Sequence, residues 1–98
     1  MKVSEITSQL VAEYVKENWG DLDEKQKAEF TMMLDAAKAY TTSFTGQTLE
    51  ALDDFPDVVI AVYVLCQDMY DNRAMYVDNA NVNRVVETIL GMHCVNLL

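Results

Sequence analysis

Few side chains in this sequence are able to do chemistry. His93 is its only histidine, Cys66 and Cys94 are its only thiols, and serine occurs only at positions 4, 8 and 43. His93, Cys94 and the distant Cys66 supply too few ligands for a closed zinc site, which takes four. A buried or capping histidine is therefore the expectation. Ser4 and Ser43 fall where helix capping or termination uses a hydroxyl. Gly20, Gly46 and Gly91 are too dispersed to form a phosphate-cradling loop. Asp53, Asp54 and Asp57 gather around Pro56, either as a divalent-ion group or, more simply, as acids that complement a helix dipole. No nucleophile–base pair emerges, so the expectation is a non-enzymatic protein without cofactor or metal.

Arg73 is more informative. Its helical neighbours at i−4, i−3, i+3 and i+4 are Met69, Tyr70, Tyr76 and Val77, so no carboxylate stands at salt-bridge spacing. The guanidinium either stacks on Tyr70 or Tyr76, or bonds groups brought by another helix or subunit, or lies solvated with its stem along the tyrosines. The tail from Met92 to Leu98 is largely apolar, with Val95, Leu97 and Leu98, whereas termini are usually polar and frayed. It either folds back on its own core or inserts into a neighbour. Arg73, Tyr70, Tyr76, Met92, Val95, Leu97 and Leu98 are thus the candidate subunit or partner contacts.

These residues need a scaffold, and 98 residues make one domain. A chain this short buries about 60–65% of its unfolded surface, so its core is small. Sixteen acids against seven bases give a net charge of −9, which disfavours a phosphate-gripping protein and an anionic membrane surface. Two cysteines 28 apart make no disulfide framework, and Glu5, Glu13 and Glu17 are foreign to a signal peptide. A reducing, aqueous compartment is expected. The longest apolar run, Val58–Cys66, is nine residues, against the ~20 a membrane span needs.

With one proline and three glycines, the chain reads as an all-α bundle of about four helices around a central apolar helix, with a short apolar C-terminal tail. Each glycine follows a stretch of helical periodicity, as helix stops do. The first helix is expected from about Glu5 to Asn18, with Ser4 as N-cap, Ile6, Leu10 and Tyr14 in its apolar stripe and Val3, Val11 and Val15 widening it. The second starts at Asp21 or Asp23, both of which resemble capping boxes. It carries Phe30, Met33, Leu34 and Ala37, continuing to Tyr40 or Phe44, and ends near Thr42. Residues 47–55 connect, with a short turn over Leu49–Leu52. Pro56 opens the central helix, which runs to about Tyr76 and is apolar all round in its first half. Residues 78–81 form a loop, and the fourth helix spans roughly Asn83–Leu90 on Val82, Val85, Val86 and Ile89.

Three segments resemble a known family. Ala36-Ala37-Lys38-Ala39-Tyr40-Thr41-Thr42-Ser43-Phe44-Thr45-Gly46 is similar to the A-x-x-Y-x-x-x-x-T-G helix ending of phage head–tail connector proteins. Pro56-Asp57-Val58-Val59-Ile60-Ala61, followed by Met69-Tyr70-Asp71-Asn72-Arg73, resembles that family's proline-started helix ending in Y-x-N-R. Asn83 to His93 resembles the close of its versions from phages and prophages of Gram-positive bacteria. The resemblance implies a structural adaptor that assembles as a ring on the portal vertex after DNA packaging. Its partners would be copies of itself, the portal protein and a downstream head-completion (stopper) or tail protein. DNA would be passing channel content only, and no membrane would be involved. The place implied is the head–tail junction of the virion, with assembly in the host cytoplasm. The acidic charge suits a channel wall that DNA must slide past. The alternative is an acidic helical interaction module, an inhibitor or DNA mimic. A mimic needs its acids along one stripe, and here they divide eight and eight between residues 1–49 and 50–98.

Overall fold

Within residues 1–71 and 84–94, which the structure (a computed structural model) describes, every regular element is helical and no strand occurs. The elements are α1 (Ser8–Tyr14), α2 (Glu24–Thr45), α3 (Leu49–Leu52), α4 (Pro56–Asp71) and α5 (Arg84–Gly91), with 3-10 turns over Val3–Glu5 and Trp19–Asp21. Arg73, Tyr76, the 78–81 loop, Val82, Asn83 and residues 95–98 lie outside the described residues. No helix among the described residues is long and apolar enough to cross a membrane.

Local sequence explains most helix ends. Asp23, not Asp21, caps α2: its carboxylate accepts from the Gln26 N–H at 2.8 Å while Gln26 Oε1 accepts from the Asp23 N–H at 3.1 Å. Gly46 ends α2 in the left-handed region (φ 71°), its N–H bonded to the Thr42 carbonyl at 2.9 Å. The helix passes the expected stop at Thr42 because the buried Thr41 and Thr45 hydroxyls donate to the carbonyls of Ala37 and Thr41, at 2.8 and 2.7 Å. Those bonds satisfy two polar groups that burial would otherwise strand. The stripe accordingly continues through Thr41 and Thr45, leaving Phe44 at the surface. The short turn over Leu49–Leu52 forms as expected, capped by the Thr48 hydroxyl.

The first helix departs from expectation at both ends. Ser4 is not its N-cap. The Ser4 N–H and hydroxyl both donate to the Asp53 carboxylate, at 2.9 and 2.7 Å, tying the N-terminus to the connector. Those bonds hold the Asp53 carboxyl below its ordinary range. Thr7 caps α1 instead, accepting from the Leu10 N–H at 3.2 Å. The helix stops at Tyr14 through a Schellman turn: Glu17 N–H bonds the Ala12 carbonyl at 2.9 Å and Lys16 N–H that of Glu13 at 3.1 Å. Lys16 carries the left-handed conformation (φ 71°) that glycine adopts freely. Gly20, expected to end this helix, sits in the following 3-10 turn. Lys16→Gly is expected to stabilise the fold by roughly 0.5–1 kcal/mol, strain relief outweighing the added freedom of the unfolded chain. Urea denaturation measures this as a raised midpoint at unchanged slope.

The core joins all these elements. Val11, Ala12 and Val15 of the α1 region, Phe30, Met33, Leu34 and Ala37 of α2, Leu52 of α3, and Val86 and Leu90 of α5 are buried around α4. On α4 the inward edge is Val58, Val62, Leu65 and Met69, all buried. The opposite edge carries Ile60, Val64, Gln67 and Asp71. The helix is central as expected, but it is not covered all round: Ile60 is 54% exposed.

Candidate interaction site

The packing of α4 between α1 and α5 creates two unlike edges. Tyr63 and Tyr70 point toward α1: the Tyr63 ring stacks on Tyr14, and the Tyr70 hydroxyl donates to the Glu17 carboxylate just after α1. Asp57 instead reaches His93, in the turn after α5. At ~100° per residue Asp57 and Tyr63 project about 120° apart on the wheel, so α1 and α5 lie on different flanks of α4. The His93 contact also brings the end of α5 to the start of α4, and α5 runs back along it.

The first edge is aromatic. Tyr14 and Tyr63 stack with centroids 4.9 Å and planes 8° apart, and the Tyr63 hydroxyl donates to the Met1 Sδ at 3.7 Å. Tyr14 remains 42% exposed, contrary to its expected place in the buried stripe of the first helix. The registers differ because α1 buries Val11, Ala12 and Val15, which turns Tyr14 outward. Ile60 faces outward between the two flanks, three residues from both Asp57 and Tyr63 and so about 60° from each on the wheel. Burial chiefly, with Cys66 and Glu13 adding, pushes the Tyr63 phenol above its ordinary range, which places Glu13 near this edge.

The second edge is aliphatic. Val86 and Leu90 turn into the core, while Val85 and Met92 are 50% and 65% exposed and Ile89 is half-buried between them. Positions 85, 89 and 92 follow i, i+4, i+7 spacing and form one stripe. Of the expected core stripe, Val86 is buried as expected, whereas Val85 is exposed and Leu90 is buried with Val86. Glu87 stands on the other flank of α5, toward α2, where burial and then its charge raise the Tyr40 phenol. Arg84, Val85, Thr88 and Ile89 line a shallow groove on the outer side.

The turn after α5 is anchored rather than loose. His93 Nε2 lies 2.9 Å from each Asp57 carboxylate oxygen, and its ring stacks on Phe55 with centroids 4.2 Å apart. Gln47 Nε2 donates to the His93 carbonyl, and the Cys94 thiol donates to the Phe44 carbonyl at 3.3 Å. Asp57 therefore does two things: it is an acid in the first turn of α4, and it holds the end of α5. Sequence spacing alone does not reveal this pairing, which spans 36 residues.

Of the expected contact residues, Met92 is exposed on the second edge. Tyr70 is half-buried, its ring stacked on Phe30 at 5.6 Å, in a cleft lined by Glu17, Leu22, Gln26, Glu29, Phe30 and Met33. Tyr70 thereby ties α4 to α2 and to the segment after α1. The structure does not bring Tyr70 and Met92 together. They stand toward opposite ends of α4, about 20 Å apart along its axis at 1.5 Å per residue. Tyr14, Ile60 and Val85 are the surface residues that sequence reasoning placed in the core. Arg73, Tyr76, Val95, Leu97 and Leu98 lie outside the described residues.

The two thiols differ sharply. Cys66 is buried beneath α2, its thiol pushed up to about 12 by burial, whereas Cys94 is exposed. A thiol-specific reagent at neutral pH is expected to label Cys94 in the folded protein and Cys66 only on unfolding. Peptide mapping of the labelled chain checks this. Among the described residues no group of three or more His, Cys, Asp or Glu is placed to hold a metal ion. No family model, no curated protein and no solved structure matches the chain.

Proposed function

We propose that this protein is a helical structural adaptor that assembles head to tail with copies of itself, as a ring at a phage head–tail junction. The observation that carries the reading is the pair of unlike apolar edges on the two flanks of α4: Tyr14 stacked on Tyr63, and Val85 with Met92. A cyclic assembly needs a heterologous contact, two different surfaces of one subunit that meet repeatedly in the same sense. One self-complementary patch makes a two-fold dimer instead. The three segments that resemble head–tail connectors supply the setting, a ring seated on the portal with a stopper or tail protein on its far side. The net charge of −9 supports a channel lining past which DNA slides without being held.

The test of the setting is binding to DNA-filled heads that lack head-completion proteins. The protein is expected to bind the portal vertex at about a dozen copies per head, visible as added density on that vertex by electron microscopy. Binding along the capsid shell, or to naked DNA, would refute the reading.

A further inference from the structure

The two edges differ in charge as well as in chemistry. Glu13 stands in the last turn of α1, beside the aromatic edge. Arg84 is the first residue of α5. Both side chains are exposed, Glu13 near the aromatic edge and Arg84 on the groove of the aliphatic edge. Among the described residues no ion pair reaches Arg84, and Glu13 accepts one long hydrogen bond from Gln9 Nε2, at 3.4 Å. Between subunits the two charges are complementary.

Resting on the self-assembly proposed above, we propose that the edge formed by Tyr14 and Tyr63 receives Val85, Ile89 and Met92 of a second copy, Arg84 of that copy meeting Glu13. The apolar side chains on both sides are then removed from water, which drives the contact. Each charge gains an opposite partner in the same step, and the pair fixes which edge meets which. Because the edges lie on different flanks of α4, a copy that receives one neighbour still offers its other edge to the next. The contact therefore propagates around a ring and does not close on itself as a pair.

Charge exchange in the full chain tests this. Glu13→Arg and Arg84→Glu each place like charges across the contact, and each is expected to raise the protein concentration needed for assembly about tenfold or more. The double variant, with the charges exchanged, is expected to return to within about threefold of the parent. Both side chains are exposed, so the melting curves of all three variants are expected to match the parent. Crosslinking supplies a second readout in a Cys94→Ser background. A short bismaleimide should join a Tyr14→Cys chain to a Val85→Cys chain when the two are mixed, and should join neither to itself. A parent that assembles while the single reversals assemble equally well overturns the pairing and leaves the ring intact. Efficient self-crosslinking of either variant also overturns it. A parent that never assembles removes the ring reading, and this pairing with it.

Discussion

Leu65→Ala is expected to lower stability by about 2–5 kcal/mol, a large part of what a domain of 98 residues has. Leu65 is 1% exposed on the inward edge of α4, between Val62 and Met69. Truncation removes the transfer free energy of its buried methyl and methylene groups and leaves a cavity. The wall of that cavity is helix on several sides and relaxes only in part. Thermal and urea melts measure the loss. A variant that melts with the parent would mean that α4 is not the centre of the fold. Ile60→Ala on the same helix is the internal control: its side chain is more than half exposed, so its effect is expected to stay within about 0.5 kcal/mol.

His93→Ala is expected to cost about 1–3 kcal/mol and to act on one region. It deletes the bonds to the Asp57 carboxylate and the stack on Phe55, both of which clamp the end of α5. Asp57 retains access to water, which keeps the cost below that of a fully buried pair. Hydrogen exchange is expected to quicken across α5 first, while the α2–α4 amides keep their protection. Labelling of Cys94 is expected to quicken with it. Uniform loss of protection over the whole chain would instead make His93 part of the global core.

The elements whose signals are local were legible in the sequence. Pro56 with its neighbouring acids marked the start of α4, and Asp23-x-x-Gln26 marked that of α2, though Asp21 competed with it. Gly46 marked the end of α2, and the turn over Leu49–Leu52 was in place. What failed depended on distant partners. Ser4 has the chemistry of an N-cap, but Asp53, 49 residues away, takes both of its donors, and Thr7 caps the helix. Lys16 holds a left-handed turn that residue type alone assigns to glycine, because the Schellman bonds on either side fix it there. Thr41 and Thr45 look like helix breakers by β-branching, yet their hydroxyls bond the preceding turn and carry α2 onward.

The candidate surface was the least legible part. Val58 to Cys66 is apolar at every position, and such a run does not say which side of the helix is left uncovered. The packing of α1 and α5 on separate flanks decides it, and the outcome is an exposed Ile60. On α5 the adjacent valines at 85 and 86 fit a core stripe equally well by type. The rotation of the helix, set by Leu90 inward and Glu87 toward Tyr40, sends Val85 out. Tyr14 followed the same logic on α1. Sequence periodicity locates an apolar stripe to within about one residue, and one residue is ~100° on a helix.

Head-to-tail self-assembly is tested most directly by the mass and symmetry of the isolated protein across a concentration series. Sedimentation velocity with electron microscopy on the same samples reads both. The two-edge account predicts monomer at low concentration and closed rings at high concentration, with each subunit using both edges. A two-fold dimer that persists at every concentration, or a monomer that never associates, would contradict it.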